Sequence, residues 1–145
     1  MIENLKAATF EVLETMFFIF PESLEDASTL FHGPGLRAWV PVEGPKTFRV
    51  GLTLSLSLAR EMAANFLGLE QDEVPPERME DVVKETANMV AGSFLRREEA
   101  PETFNLKPPE ARAMDLDGEI WKENAHHVLL AVEDSGLEVF LDKSQ

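Results

Sequence analysis

Cysteine is absent from the 145 residues, which excludes disulfides and thiolate chemistry and agrees with the cytoplasm as the expected compartment. Long apolar runs are missing too. None approaches the roughly 20 residues that cross a bilayer, so no membrane span is expected. The run Met16-Phe17-Phe18-Ile19-Phe20 stops at Pro21 and follows an amphipathic, acidic segment without a basic leader, unlike a secretory signal. Positive charge is scarce: 13 Lys and Arg stand against 27 Asp and Glu, a net charge of −14. Nucleic acid is thereby an unsuitable partner, because phosphate contacts need clustered cations. No glycine-rich phosphate loop occurs, and Gly33-Pro34-Gly35 is only a turn. No metal site is expected either. His126 and His127 are adjacent on a strand edge and point to opposite faces, with no third ligand at useful spacing.

What is present is a globular balance, 44% hydrophobic and 28% charged, in a length that suits one domain over residues 1–145. Ile2 to Phe18 has helical periodicity, with Leu5, Ala8, Val12 and Met16 in one row and Ala7, Phe10, Leu13 and Phe17 in the next; Pro21 should end it. Leu36 to Val42 and Thr47 to Leu54 alternate as strands around the turn Glu43-Gly44-Pro45-Lys46. Ser55 or Ser57 can cap a helix that closes at Leu67-Gly68. Pro75-Pro76 opens the longest helix, Glu77 to about Glu99. Strands are expected at Glu110 to Met114, Glu119 to Lys122, His127 to Glu133 and Leu137 to Asp142, with turns at Asp115 to Gly118 and Asp134-Ser135-Gly136. The order predicts an α+β fold: two long helices on an antiparallel sheet, a loosely duplicated helix-plus-strands unit. Trp39 and Trp121 are expected to pack on strands. Phe17, Phe18 and Phe20 should enter the core, or else a contact between two copies.

The longest helix carries the chemistry. At about 100° per residue, Met79, Val83, Ala87, Val90 and Phe94 form one apolar stripe. Asp81, Glu85, Asn88 and Gly92 share the opposite ridge. A Glu and an Asn three apart on a solvated face are common, and most such pairs do nothing. Asn, however, is a poor helix-interior residue, and Gly is worse by about 1 kcal/mol. A glycine there makes sense if another backbone must come close.

The spacing Asp81-x3-Glu85-x2-Asn88, continued by Met89-Val90-Ala91-Gly92 and by Pro109 after 20 intervening residues, resembles the signature of the CheC/CheX/FliY phosphatases of bacterial chemotaxis. The first helix has Glu11-Val12-Leu13-Glu14 in the corresponding place, with Ala7 where Asp81 stands. Glu14 replaces the amide, so the first copy is degenerate and the chain is most similar to the single-site CheX branch. The resemblance implies a CheC-like fold, pairing as a homodimer, and hydrolysis of the aspartyl phosphate on a CheY-like receiver domain. It also implies that Glu85 pairs with a lysine of the receiver, while Asn88 suits placement of the attacking water. Gly92 would lie on the docking surface and Asp81 at its edge, unless, as is the preferred reading, Asp81 only supports helix solubility. The Mg²⁺ ion would come with the receiver, and the chain would need no cofactor of its own. The rival expectation is an adaptor of the same fold that binds a receiver or a flagellar switch component without catalysis.

Overall fold

The computed structural model describes residues 1–23, 28–99, 103–117 and 126–143. Three helices, α1 (Ile2–Phe17), α2 (Leu56–Leu67) and α3 (Pro76–Arg97), accompany seven strands among the described residues: β1 (Glu22–Ser23), β2 (Pro34–Glu43), β3 (Phe48–Ser55), β4 (Asn105–Leu106), β5 (Glu110–Asp115), β6 (His127–Val132) and β7 (Ser135–Lys143). Every pairing is antiparallel, in the order β1-β6-β7-β3-β2, with β4 and β5 both on the outer side of β2. The fold is α+β, as the element order predicts.

Strand alternation divides the sheet into two faces. Val50, Leu52 and Leu54 on β3, with Leu36, Ala38 and Val40 on β2 and Leu137, Val139 and Leu141 on β7, join one apolar cluster with the buried sides of the three helices. The opposite face carries Arg37, Thr53, Glu138 and His127. There Thr53 Oγ1 donates to Glu138 at 2.8 Å, Arg37 Nε donates to Thr53 at 2.9 Å, and His127 Nδ1 meets the other oxygen of Glu138. His127 is thus held by a carboxylate. Among the described residues no group of three His, Asp or Glu side chains could hold a metal.

Local signals explain most of the boundaries. Ser55 caps α2 by accepting from the Leu58 N–H at 3.1 Å, and Gly68 closes it in the left-handed region at φ 70°. Pro76 opens α3, and Arg96 and Arg97 fall in its last turn, where the helix dipole favours cations. Gly51 faces the ring of Phe140 so closely that a Cβ would lie 2.4 Å from it, so only glycine fits there.

Four expectations need correction. Pro21 does not end α1. The helix stops at Phe17 because Phe18 turns left-handed (φ 56°) and the Ile19 N–H donates back to Leu13 O at 3.1 Å. That reversal sends Phe17 inward at 0% exposure but leaves Phe18 and Phe20 outside at 75% and 70%, so those two are not core. Met16 is exposed as well, because α1 leans its Leu5–Ala8–Val12 row, and not Met16, on the neighbouring layers. The last hairpin turns at Glu133-Asp134 with Glu133 left-handed at φ 54°, which puts Ser135 and Gly136 inside β7 rather than in the turn. The strand expected at Glu119 to Lys122, with Trp121, lies outside the described residues.

Candidate functional site on the third helix

α3 is amphipathic in the manner its sequence dictates. Met79, Val83, Ala87, Val90 and Phe94 are all buried, at 5% exposure or less. Val82, Thr86 and Ser93 bury a flank as well, so little of the helix stays uncovered. The ridge lies on the less covered side, with Glu77 and Arg78 exposed before it. Asp81 and Glu85 are exposed, and Asn88 and Gly92 are half-buried between the flanks. Glu85 and Asn88 are about 4.5 Å apart along the axis and neighbours on the surface. Neither makes a hydrogen bond or ion pair with any described residue, and Asp81 makes none. Lys84 by contrast pairs with Glu80 one turn back, 3.9 Å away.

Gly92 answers the question its presence poses. A Cβ built there would meet a single side-chain atom, Arg96 Nη1, at 3.5 Å, an ordinary contact. Among the described residues nothing in the packing requires glycine at 92. Room has been left on the solvent side, in the line of Glu85 and Asn88.

α1 lies against one flank of α3. Asn4 Nδ2 donates to Arg97 O at 3.4 Å, and Glu11 accepts from both Ser93 Oγ (3.3 Å) and Arg97 Nη2. The Arg97 hydrogen bond, aided by the charges of Arg97 and Arg96 and by Ser93, outweighs burial and holds the Glu11 carboxyl below its ordinary value of 4.5. The first-copy carboxylate is therefore occupied as a strut between helices. Sequence reasoning sees its degeneracy in Glu14 but misses this tie, which spans 82 positions of chain and leaves no local pattern. Pro109 directly precedes β5, which runs along β2 from Trp39 to Pro34. The approach to it is fixed by aromatic packing: Phe104 meets Phe48 edge-on at 5.5 Å, and Phe48 meets Phe94 of α3 at 6.4 Å.

The ridge stands on the solvent side of α3. Two surface hollows, of about 140 and 190 Å³, lie elsewhere; one is lined by Ser57, Glu61, Gln71 and Glu133, the other by Arg37, His126, His127 and Glu138. Neither includes a ridge residue. In the first, burial and the neighbouring Glu133 charge push the Glu61 carboxyl upward. Small-molecule sites are concave; a projecting carboxylate and amide suit entry into a concavity on another protein.

The family model described as chemotaxis phosphatase CheX matches residues 37–128 of this chain. No curated protein sequence matches. Among solved structures, the chemotaxis protein CheX from Vibrio vulnificus superposes with a TM-score of 0.75 at 19% identity, covering 97% of this chain and 95% of that one. The CheX–CheY–BeF3–Mg²⁺ complex from Borrelia burgdorferi gives 0.65 at 18% identity, covering 99% and 97%. FliY from Thermotoga maritima gives 0.60 at 15% identity, covering 97% and 84%. These likenesses are of fold.

Proposed function

We infer, for a chain that belongs to the CheX family of chemotaxis phosphatases, that it docks on a CheY-like receiver domain phosphorylated on aspartate and hastens loss of that phosphate. The observation that carries this is the ridge of α3, where Glu85 and Asn88 project side by side and neither is engaged by a described residue.

Hydrolysis of an aspartyl phosphate proceeds by in-line attack of water through a loose transition state, so help comes from placing the water and stabilising charge. The Asn88 carboxamide suits the first task. Its oxygen accepts a hydrogen bond from the water, and its NH2 donates to a phosphoryl oxygen. The water oxygen then bonds to phosphorus as the bond to the aspartate oxygen breaks, giving inorganic phosphate and a free carboxylate. A carboxylate at 88 would repel the phosphoryl oxygens, which is why Glu14 makes a poor counterpart. Glu85 has the matching problem and the better role: pairing with a lysine beside the receiver's phosphorylation site, it sets the register of the helix on its partner. Mg²⁺ belongs to the receiver in this reading, and the chain supplies no ligand to it. Asp81 and Gly92 border the docked surface.

Cytoplasmic residence and pairing of two copies belong to the same reading. No described helix is long and apolar enough to cross a membrane. Phe18 and Phe20 are the apolar surface a contact between copies would cover. The rival is an adaptor of the same fold that binds a receiver or a flagellar switch component without catalysis. A single assay separates the two. A receiver phosphorylated on aspartate is mixed with wild type, Asn88→Ala or Glu85→Ala, and phosphate loss is followed. The phosphatase accelerates it as wild type, loses about 10²-fold with Asn88→Ala, and binds more weakly with Glu85→Ala. Binding without acceleration establishes the adaptor instead.

A further inference from the structure

The ridge does not end at Gly92. Arg96 continues it, four residues on, so that Asp81, Glu85, Asn88, Gly92 and Arg96 fall within about 80° on the helix surface. Helical side chains lean toward the N-terminus, and Arg96 does so: its Nη1 lies 3.5 Å from where a Gly92 Cβ would be. The guanidinium thus hangs over the glycine, on the turn next to Asn88. It is exposed and has no ion pair among the described residues, whereas its neighbour Arg97 is taken by Glu11. In a chain of net charge −14, a cation that is felt by Glu11 but forms no ion pair among the described residues, on the one ridge that also carries Glu85 and Asn88, calls for a physical role.

The dipole of the last turn favours Arg96 and Arg97 alike, but it does not account for a cation in line with Glu85 and Asn88. A receiver's acyl phosphate explains it better. The turn of Gly92 is about 6 Å along the axis from that of Asn88. Hydrogen bonds from an amide and a guanidinium to one phosphoryl group, each about 2.8 Å, span a gap of that size. In the loose transition state charge is spread over the three non-bridging oxygens, and a guanidinium within reach of one of them stabilises it. We propose that Arg96 is a phosphoryl-facing cation, contacting a non-bridging oxygen of the receiver's aspartyl phosphate while Asn88 holds the water. This role rests on the phosphatase reading above.

The test measures kcat and KM for wild type, Arg96→Lys, Arg96→Gln and Asn88→Ala on the phosphorylated receiver. Binding to the receiver with and without BeF3 is measured for the same set. Arg96→Gln is expected to lower kcat about 10²-fold with KM nearly unchanged and melting temperature held. Arg96→Lys should recover part of the rate, and Arg96→Gln should bind the BeF3-loaded receiver nearly as wild type does, since BeF3 mimics the ground state. An unchanged kcat, or a raised KM alone, in a protein that Asn88→Ala still silences overturns the role of Arg96 and leaves the phosphatase standing. A wild type that neither accelerates phosphate loss nor prefers the loaded receiver overturns both.

Discussion

Along α1, Glu11 turns sideways into α3, accepting from Ser93 and Arg97, and Glu14 follows it one turn later. Along α3, the matching Glu85 is exposed and Asn88 half-buried, and neither makes a hydrogen bond or ion pair with a described residue. The correspondence continues. Phe18 stands where α3 has Gly92, but α1 has already stopped one residue earlier, whereas α3 runs on through Arg97. Two helices of common pattern have thus separated into a strut and an edge without hydrogen-bond partners among the described residues. A carboxylate on a helix is not a site by residue type alone. On α1, Ser93 and Arg97 engage Glu11, whereas Glu85 on α3 has no such partner among the described residues.

The largest test of that contrast is Gly92→Ala. The added methyl meets only Arg96 Nη1 at 3.5 Å, and alanine is a better helix former, so thermal or urea unfolding should show a gain of about 1 kcal/mol. The same methyl stands where a docked partner must approach, so dephosphorylation of the receiver should fall roughly tenfold, as overpacking of a close contact does. Stability and activity moving in opposite directions is the expected signature. A joint fall would mean that glycine serves the fold instead.

A smaller effect belongs to the strut. Glu11 titrates below its ordinary value of 4.5 in the folded chain, so its contribution is fully present above that value and is lost as pH falls through the lowered one. As a largely exposed pair it contributes at most about 1 kcal/mol. Glu11→Gln should therefore be slightly less stable than wild type at pH 7, with the gap closing as the pH drops below 4.5. Urea titrations at both ends of that range measure it. Receiver dephosphorylation should be unaffected at neutral pH, since the strut lies off the working ridge.

Much of this was legible in the residues because periodicity and end signals agreed. The α3 stripe, the β2–β3 hairpin, the Ser55 cap and the Gly68 stop each follow from local chemistry, and the Glu85–Asn88 ridge follows from the stripe. What was illegible depends on long-range packing. Nothing local to Glu138 says it is buried at 6% exposure; Thr53, Arg37 and His127 come to it from three other strands. Strand alternation alone marks it as outward and polar. Phe18 and Phe20 look like core until the left-handed turn at Phe18 is known. The two-residue strands β1 and β4 are too short to leave a pattern. Arg96 could have been found by carrying the ridge spacing one turn past Gly92.

The most direct measurement is a resonance footprint of the ¹⁵N-labelled chain as a BeF3-loaded receiver is added. The Asn88 side-chain amide and the backbone amides of Glu85 and Gly92 should shift together and saturate together, while those of Glu11 and Glu14 stay in place. Saturable shifts confined to α1 or to the Arg37–Glu138 face of the sheet, with Asn88 unmoved, would contradict the account.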